Sequence, residues 1–322
     1  MMRLVVLIVW TTVLALIVTA LTPSVPTDHW VVRMADFPRL QFLIGATFVA
    51  LVAALLGRRR WSLRVAAVLA AGVSVFHAAT LWPWVIGGRP TADCPLGADR
   101  LRVLVANVRM TNDPDSRLAE MVRKTRPDLF LALETNTDWA EALATLNSQL
   151  PHVVDQPASD YYGIMLMSRL PLMDARVVYP GGEGTPSIVA TVALEFGAKV
   201  VFQGLHPRPP HPGQSAASRD AQILAVAASL AEEDEFVLAG DLNATPWETT
   251  IRTAAGIAGW EHPRLSFGYA ASYSARSLWR RWPLDYILPS AEWSTTDLEV
   301  LPAFGSDHYP LLADLCRKAQ ER

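Results

Sequence analysis

The sequence predicts an α/β sandwich, in which helices cover mixed β-sheets, preceded by three transmembrane helices. Three long uncharged windows lie within the first ninety of the 322 residues. After residue 100, strand-like and helix-like segments alternate along the chain, which is typical of an α/β fold. Some neighbouring strand-like segments have no helix between them, which indicates mixed rather than purely parallel sheets.

The composition supports an apolar and a polar part of the chain. Hydrophobic residues make up 51% and charged residues 18%, which excludes a disordered protein and is too apolar for a plain cytosolic enzyme. Eight Arg against two Asp give residues 1–90 a charge of +6, and 20 basic against 29 acidic residues give the remainder −9. We therefore predict a membrane anchor over residues 1–90, a linker over 91–100 and a polar domain over 101–322.

The anchor contains three uncharged windows, at residues 4–27, 40–57 and 65–88, of 24, 18 and 24 residues. Because about 20 apolar residues cross a bilayer as a helix, these windows predict spans at about 4–22, 40–57 and 65–86. A signal peptide cleaved after Ala20 is the alternative for the first window.

The loop between the second and third spans sets the orientation. Residues 58–64 contain Arg58, Arg59, Arg60 and Arg64. Such a cluster marks a cytoplasmic loop, whether or not the first span is cleaved. We therefore expect a multi-pass protein of the cell membrane, with its polar domain on the extracytoplasmic side as part of the cell envelope.

The polar part has a regular order of predicted elements. Strand-like segments occupy residues 101–108, 128–133, 163–168, 187–194, 200–205, 236–239, 284–288 and 309–315. Helix-like segments occupy residues 116–125, 139–150 and 217–232, and a further helix starts at Trp247.

Polar side chains lie where these apolar strands begin or end. The set comprises Asn107, Glu134, His206, Asp241, Asn243, Asp285, Asp307 and His308. A single Asp or Asn at such a place is usually a turn or cap residue. The whole set instead predicts a functional site, because a sheet holds groups at its strand ends rigidly.

The chemistry of this set favours a hard cation. Carboxylates and amide oxygens suit Mg²⁺ or Mn²⁺, and no thiolate or multi-histidine zinc pattern is present. Such a metal beside Asp and His is suited to phosphate-ester hydrolysis, because it stabilises charge on phosphoryl oxygens while a base activates water.

Seven short blocks give the polar part a resemblance to a known family, the endonuclease/exonuclease/phosphatase superfamily related to DNase I. In order, the blocks are 104–107 (LVAN), 131–134 (LALE), 162–169 (YGIMLMSR), 204–206 (GLH), 240–246 (GDLNATP), 284–287 (LDYI) and 306–310 (SDHYP). They extend over about residues 101–315. The resemblance implies a four-layer α/β sandwich, with two mixed sheets flanked by helices.

The resemblance also implies a role for each polar residue. Glu134 would bind the metal, with Asn107 beside it and Asp307 in support. Asp241 would position or deprotonate water, and Asn243 would hold the phosphoryl group. His308 would contact the scissile phosphate and be oriented by Asp285. His206 matches phosphatase-type members, and the identity of the general base stays open.

The loop Pro207-Arg208-Pro209-Pro210 resembles that of a membrane-tethered bacterial branch of the superfamily, which includes proteins linked to glycopeptide-antibiotic resistance. Because the polar domain is acidic, nucleic acid is disfavoured as a partner. We therefore predict a membrane-anchored, metal-dependent phosphohydrolase of phosphate esters or pyrophosphates, such as the membrane lipid undecaprenyl pyrophosphate. An extracytoplasmic nuclease or phosphodiesterase and a catalytically inactive binding module are the alternatives.

Cys94 and Cys316 bracket the polar domain. In the family the first and last strands are neighbours, and this arrangement would place the two cysteines at the same end of the domain. A disulfide would then form outside the cytoplasm. Two free thiols too far apart to bond are the alternative.

Overall fold

The computed structural model describes residues 2–88, 94–181 and 185–319, and the chain divides into two compact units. One unit runs to Ile86 and also includes Pro210–Ala216. The other comprises Gly87–Pro209 and the chain from Ala217 onward. Residues 91–93 of the predicted linker lie outside the described residues.

The first unit contains three helices long and apolar enough to cross a membrane. They are α1 (Met2–Leu21), α3 (Arg39–Leu56) and α4 (Trp61–Val85), and a short helix α2 (Trp30–Met34) lies between the first two. Each falls within a few residues of a predicted span.

The two faces of these helices carry side chains of different size. Ala53 and Ala70 are fully buried where the helices pack, and such small residues let helix backbones approach closely. Phe48, Leu55 and Val68 are 65%, 66% and 71% exposed. Large apolar side chains with this much exposed surface are unfavourable in water and suit a lipid environment.

The second unit contains eleven strands and five helices among the described residues. The strands are β1 (Arg100–Asn107), β2 (Leu129–Leu133), β3 (His152–Gln156), β4 (Ile164–Ser168), β5 (Leu172–Val178), β6 (Ser187–Ala193), β7 (Lys199–Gly204), β8 (Phe236–Asp241), β9 (Asp285–Pro289), β10 (Trp293–Val300) and β11 (Leu311–Arg317). The helices are α5 (Ser116–Thr125), α6 (Thr137–Leu143), α7 (Ala217–Leu230), α8 (Thr249–Ala258) and α9 (Arg264–Phe267).

These strands form two mixed sheets, as the sequence predicts. The first sheet has the order β10-β11-β1-β2-β4-β3, and the second has the order β5-β6-β7-β8-β9. Each contains one parallel pair, β1 with β2 and β7 with β8, among antiparallel neighbours.

Alternation of side chains along the strands produces four layers. In β1, Val103 and Val105 belong to the core between the two sheets, whereas Leu104 and Ala106 pack toward α5 and α6. A third core joins the outer face of the second sheet to α7 and α8. Because successive strand residues face opposite sides, both faces of each sheet are buried, and the predicted four-layer sandwich is confirmed.

The topology brings the ends of six strands to one end of the sandwich. β1 and β2 are parallel and so end at the same edge, and β11, antiparallel to β1, begins at that edge. The second sheet repeats this arrangement with β7, β8 and β9. The polar residues that follow or precede these strands are therefore placed together.

A disulfide between Cys94 and Cys316 lies at the opposite end. The two Cα atoms are 5.6 Å apart, and Cys316 is paired with Arg100 at the start of β1. The bonded alternative is therefore the one that the chain adopts, and the bond ties the segment before β1 to β11, the last strand.

Candidate active site

Two carboxylates face each other where the second sheet ends. Asp241 is the last residue of β8 and pairs in register with Asp285, the first residue of β9. Gly240, directly before Asp241, lets the Leu205 backbone pack against β8, because its φ is +144° and a Cβ there would lie 1.9 Å from the Leu205 carbonyl oxygen. The backbone packing at this position therefore requires glycine, the first residue of the 240–246 block.

His308 joins these carboxylates from the first sheet. Its Nδ1 lies 2.8 Å from Asp285 Oδ2, and its Nε2 lies 3.5 Å from Asp241 Oδ2. The three groups are all buried and lie within 4.8 Å of one another. Asp285 thus contacts one ring nitrogen of His308, while the other nitrogen faces Asp241.

Asn107 connects this array to Glu134. Its Nδ2 donates to Glu134 Oε1 at 2.9 Å and lies 3.3 Å from Asp241 Oδ2. Its Oδ1 accepts from the Arg109 amide at 3.0 Å, which fixes the amide with its donor side toward the two carboxylates. Asn107 therefore orients Glu134, and its oxygen is already engaged.

Asn243 and His206 lie on the second-sheet side. The Asn243 amide nitrogen donates to Asp241 Oδ1 at 2.9 Å, and its Nδ2 donates to the Pro207 carbonyl at 3.0 Å. His206 is 2% exposed, and its Nε2 is 3.8 Å from Asp241 Oδ2. Asp241 is therefore the group that the two histidines and both asparagines share.

Asp307 lies at the more exposed edge of the site. Its Oδ2 is 3.8 Å from Arg109 Nε, and its side chain is 26% exposed. The neighbouring Ser306 donates its hydroxyl to the Asn107 carbonyl at 2.7 Å and accepts from the His308 amide at 3.1 Å. Ser306 thereby fixes the 306–308 turn against the end of β1.

The buried charges shift one another's protonation. Burial alone disfavours the imidazolium, but the carboxylates of Asp285 and Asp241 outweigh it and raise the pKa of His308 to about 10. Burial raises the pKa of Asp241 to about 7, an effect that the His308 charge partly offsets. The pair thus has a cationic imidazole beside a carboxyl group that titrates near neutral pH.

The other two titratable groups behave differently. Burial and the neighbouring His308 charge lower the pKa of His206 to about 3, so this ring is neutral. Burial raises the pKa of Glu134, and the hydrogen bond from Asn107 and the charge of His308 act against this rise. A bound cation would stabilise the ionised form of Glu134 further.

The donor set fits a divalent cation beside Glu134 better than between Asp241, Asp285 and His308. In the latter group Asp285 Oδ2 and His308 Nδ1 already bond to each other, and the positive charge of the His308 ring would repel a cation. The carboxylates of Glu134 and Asp307 are partly exposed and offer the oxygen ligands that Mg²⁺ prefers.

Structure adds residues that the sequence analysis missed. Arg219, fully buried in α7, donates to the Asn243 carbonyl at 2.8 Å and bonds to the buried carboxylate of Glu248. Ser272 accepts from the Asp285 amide at 3.1 Å, and the Tyr273 ring lies 4.9 Å from the His308 ring. An arginine in an amphipathic helix is expected to face solvent, so the sequence around Arg219 did not indicate that it is buried near the site.

Comparison with known proteins is consistent with this geometry. The sequence profile of the Endonuclease/Exonuclease/phosphatase family matches residues 104–308, a range that contains all eight predicted site residues. No curated protein matches the chain.

Several solved structures share the fold. An endonuclease/exonuclease/phosphatase from Beutenbergia cavernae has a TM-score of 0.55 and 18% identity, covering 69% of this chain and 72% of its own. D. rerio TDP2, complexed with single strand DNA product, has a TM-score of 0.57 and 15% identity, covering 67% and 98%. An endonuclease/exonuclease/phosphatase from Bacteroides vulgatus has 0.55 and 17%, covering 68% and 99%.

Proposed function

This chain belongs to the endonuclease/exonuclease/phosphatase family, and on that premise we propose that it is a membrane-anchored, divalent-metal-dependent phosphohydrolase. Its substrates are phosphate esters or pyrophosphates at the outer surface of the cell membrane, such as undecaprenyl pyrophosphate. The observation that carries the proposal is the contact of His308 with both Asp285 and Asp241, beside a partly exposed Glu134.

The buried carboxylates and imidazole suit proton transfer. A water molecule attacks phosphorus, its proton passes to the Asp241 carboxylate, and the bond from phosphorus to the leaving oxygen breaks. A base whose pKa is about 7 is suited to this task at neutral pH. The His308 imidazolium, held by Asp285, donates a hydrogen bond to a phosphoryl oxygen, and the Asn243 amide holds another.

Glu134 is the proposed metal ligand, with Asn107 orienting its carboxylate and Asp307 adding negative charge nearby. A divalent cation there would neutralise charge on the phosphoryl oxygens. Mg²⁺ or Mn²⁺ is expected from the oxygen donors.

Two observations support the outer surface of the cell membrane as the location of the polar domain. The Cys94–Cys316 disulfide is a bond that persists in oxidising compartments and not in the cytosol. The loop at residues 58–64 has four arginines, which favours the cytoplasmic side for the turn between α3 and α4. The polar domain, one span later, then lies outside.

The test is phosphate release from undecaprenyl pyrophosphate by the purified full chain in Mg²⁺. We expect release by the wild type, loss on addition of EDTA, and at least 100-fold slower release by His308→Ala. His152→Ala, a change on β3 outside the site, is the matched control and should keep the wild-type rate. No release by the wild type, or equal release by His308→Ala, contradicts the proposal.

An extracytoplasmic nuclease or phosphodiesterase is the second function open to a member of this family. The charge of −9 outside the anchor argues against a polyanion, because nucleic-acid-binding domains are usually basic. Nicking of plasmid DNA by the wild type, but not by His308→Ala, would favour this second function.

A further inference from the structure

An arginine stands over an aromatic ring at the rim of the site. The Cζ atom of Arg208 lies 4.2 Å from the centroid of the Tyr162 ring, and that ring lies 5.7 Å from the His206 ring. Exposure increases along this series, from 2% at His206 to 9% at Tyr162 and to a partly exposed Arg208. The three side chains therefore lead from the buried floor of the site to solvent.

Both ends of the series are fixed to the site. The Pro207 carbonyl accepts from Asn243 Nδ2 at 3.0 Å, and Pro207 and Pro209, on either side of Arg208, restrict the backbone. On the other side, Tyr162 precedes Gly163, whose carbonyl accepts from the Thr135 amide at 3.2 Å, directly after Glu134. Arg208 is thus held in place relative to both the phosphoryl-holding Asn243 and the proposed metal ligand.

The guanidinium has hydrogen-bonding capacity to spare. Among the residues that the structure describes, none forms a hydrogen bond or an ion pair with the Arg208 guanidinium, which lies over the Tyr162 ring. A guanidinium stacked by its face on an aromatic ring keeps its edge of N–H donors open. That edge matches two oxygens of a phosphate group in a bidentate pair.

We propose that Arg208, stacked on Tyr162, binds the second phosphate of a pyrophosphate substrate. The inference rests on the proposed function and narrows its substrate class to pyrophosphates. In this arrangement the scissile phosphate lies on the floor of the site, beside His308, Asn243 and His206. The second phosphate extends toward the rim, where the N–H groups of Arg208 are free to donate hydrogen bonds to it. A simple monoester has no group for this subsite.

The test compares a pyrophosphate with the monophosphate of the same alcohol. Farnesyl pyrophosphate and farnesyl phosphate serve as substrates for the full chain in Mg²⁺, and KM and kcat are measured for each. For Arg208→Ala we expect the KM for the pyrophosphate to rise about 10- to 100-fold, as for lost hydrogen bonds to a charged group, with less than a twofold change for the monophosphate.

Two further variants separate charge from geometry. Arg208→Lys keeps the positive charge and loses the planar fork, so it should recover only part of the affinity for the pyrophosphate. Arg123→Ala, an exposed arginine on α5, is the matched control and should leave both substrates unaffected. Equal effects of Arg208→Ala on the two substrates, or no effect on either, would overturn the subsite.

A binding measurement makes the outcome independent of turnover. Methylenebisphosphonate, which is not hydrolysed at its P–C–P bridge, and inorganic phosphate are titrated calorimetrically into the full chain. Loss of bisphosphonate affinity alone in Arg208→Ala supports the subsite, even if the wild type hydrolyses no phosphate ester and the proposed function fails. Unchanged bisphosphonate affinity overturns the subsite while leaving hydrolysis to its own test.

Discussion

The site has two halves that differ in burial and in bonding. In the buried half, Asp241, Asp285 and His308 are 1%, 0% and 5% exposed, and His308 contacts both carboxylates. In the open half, Glu134 and Asp307 are partly exposed, and the contact of Asp307 with Arg109 is a loose 3.8 Å. The first arrangement sets proton affinities, and the second leaves carboxylate oxygens open for a cation.

The difference in burial separates two tasks, proton transfer and metal binding, at one end of the sandwich. Burial makes charge costly, so pKa values shift most where side chains are buried, as for Asp241 and His308. A hard cation keeps part of its water shell and needs accessible oxygens, which suits Glu134. Asn107 spans the boundary because its amide lies near both Glu134 and Asp241.

Removal of the Asp241 carboxylate should have the largest effect. Asp241→Asn keeps the shape of the side chain but abolishes the proposed base, so we expect kcat for phosphate release to fall about 1000-fold. Thermal unfolding of the variant is the control, because an amide of the same shape as the carboxylate should keep the fold. A rate within tenfold of the wild type would contradict the assignment of Asp241 as the base.

Asp285→Asn should act through His308 and have a smaller effect, about 100-fold in kcat. The wild-type rate should rise with pH through about 7, as Asp241 ionises, and fall above about 10, as His308 loses its proton. Because Asp285 is a main cause of the raised pKa of His308, its loss lowers that pKa. The alkaline limb of the pH–rate profile should therefore move toward neutral pH, and an unmoved limb would contradict the link.

Glu134→Gln tests the open half. The variant should need at least tenfold more Mg²⁺ for half-maximal rate, because a neutral amide is a weaker ligand than a carboxylate. The apparent Mg²⁺ affinity is read from rates of phosphate release over a metal titration. Wild-type affinity in this variant would place the cation elsewhere.

Asp307→Asn should have the smallest effect, about threefold in apparent Mg²⁺ affinity, as expected for a partly exposed charge that acts through solvent. The same metal titration measures it. An effect larger than that of Glu134→Gln would make Asp307, and not Glu134, the main metal ligand.

The sequence predicted the fold where both faces of a strand are buried. The strands that carry the site, such as β1, β2 and β8, are continuous apolar runs followed by a polar residue, so pattern alone located them. β3 and β10 at the edges of the first sheet were missed, because their pattern is mixed and their pairing depends on a distant partner.

Local chemistry also explains a misplaced helix. The sequence predicted one helix over residues 139–150, but α6 begins at Thr137, because Asn136 caps it by accepting from the Trp139 amide, and continues as a 3₁₀ turn at Ala144–Leu146. Contacts between distant segments, such as Arg219 with Glu248, depend on tertiary packing and leave no pattern in sequence.

A Mg²⁺ titration of phosphate release by Glu134→Gln and Asp241→Asn in parallel tests the division between the two halves most directly. We predict that excess Mg²⁺ restores most of the rate of Glu134→Gln and none of the rate of Asp241→Asn. Rescue of Asp241→Asn by Mg²⁺, or failure to rescue Glu134→Gln at any concentration, would contradict the separation of proton transfer from metal binding.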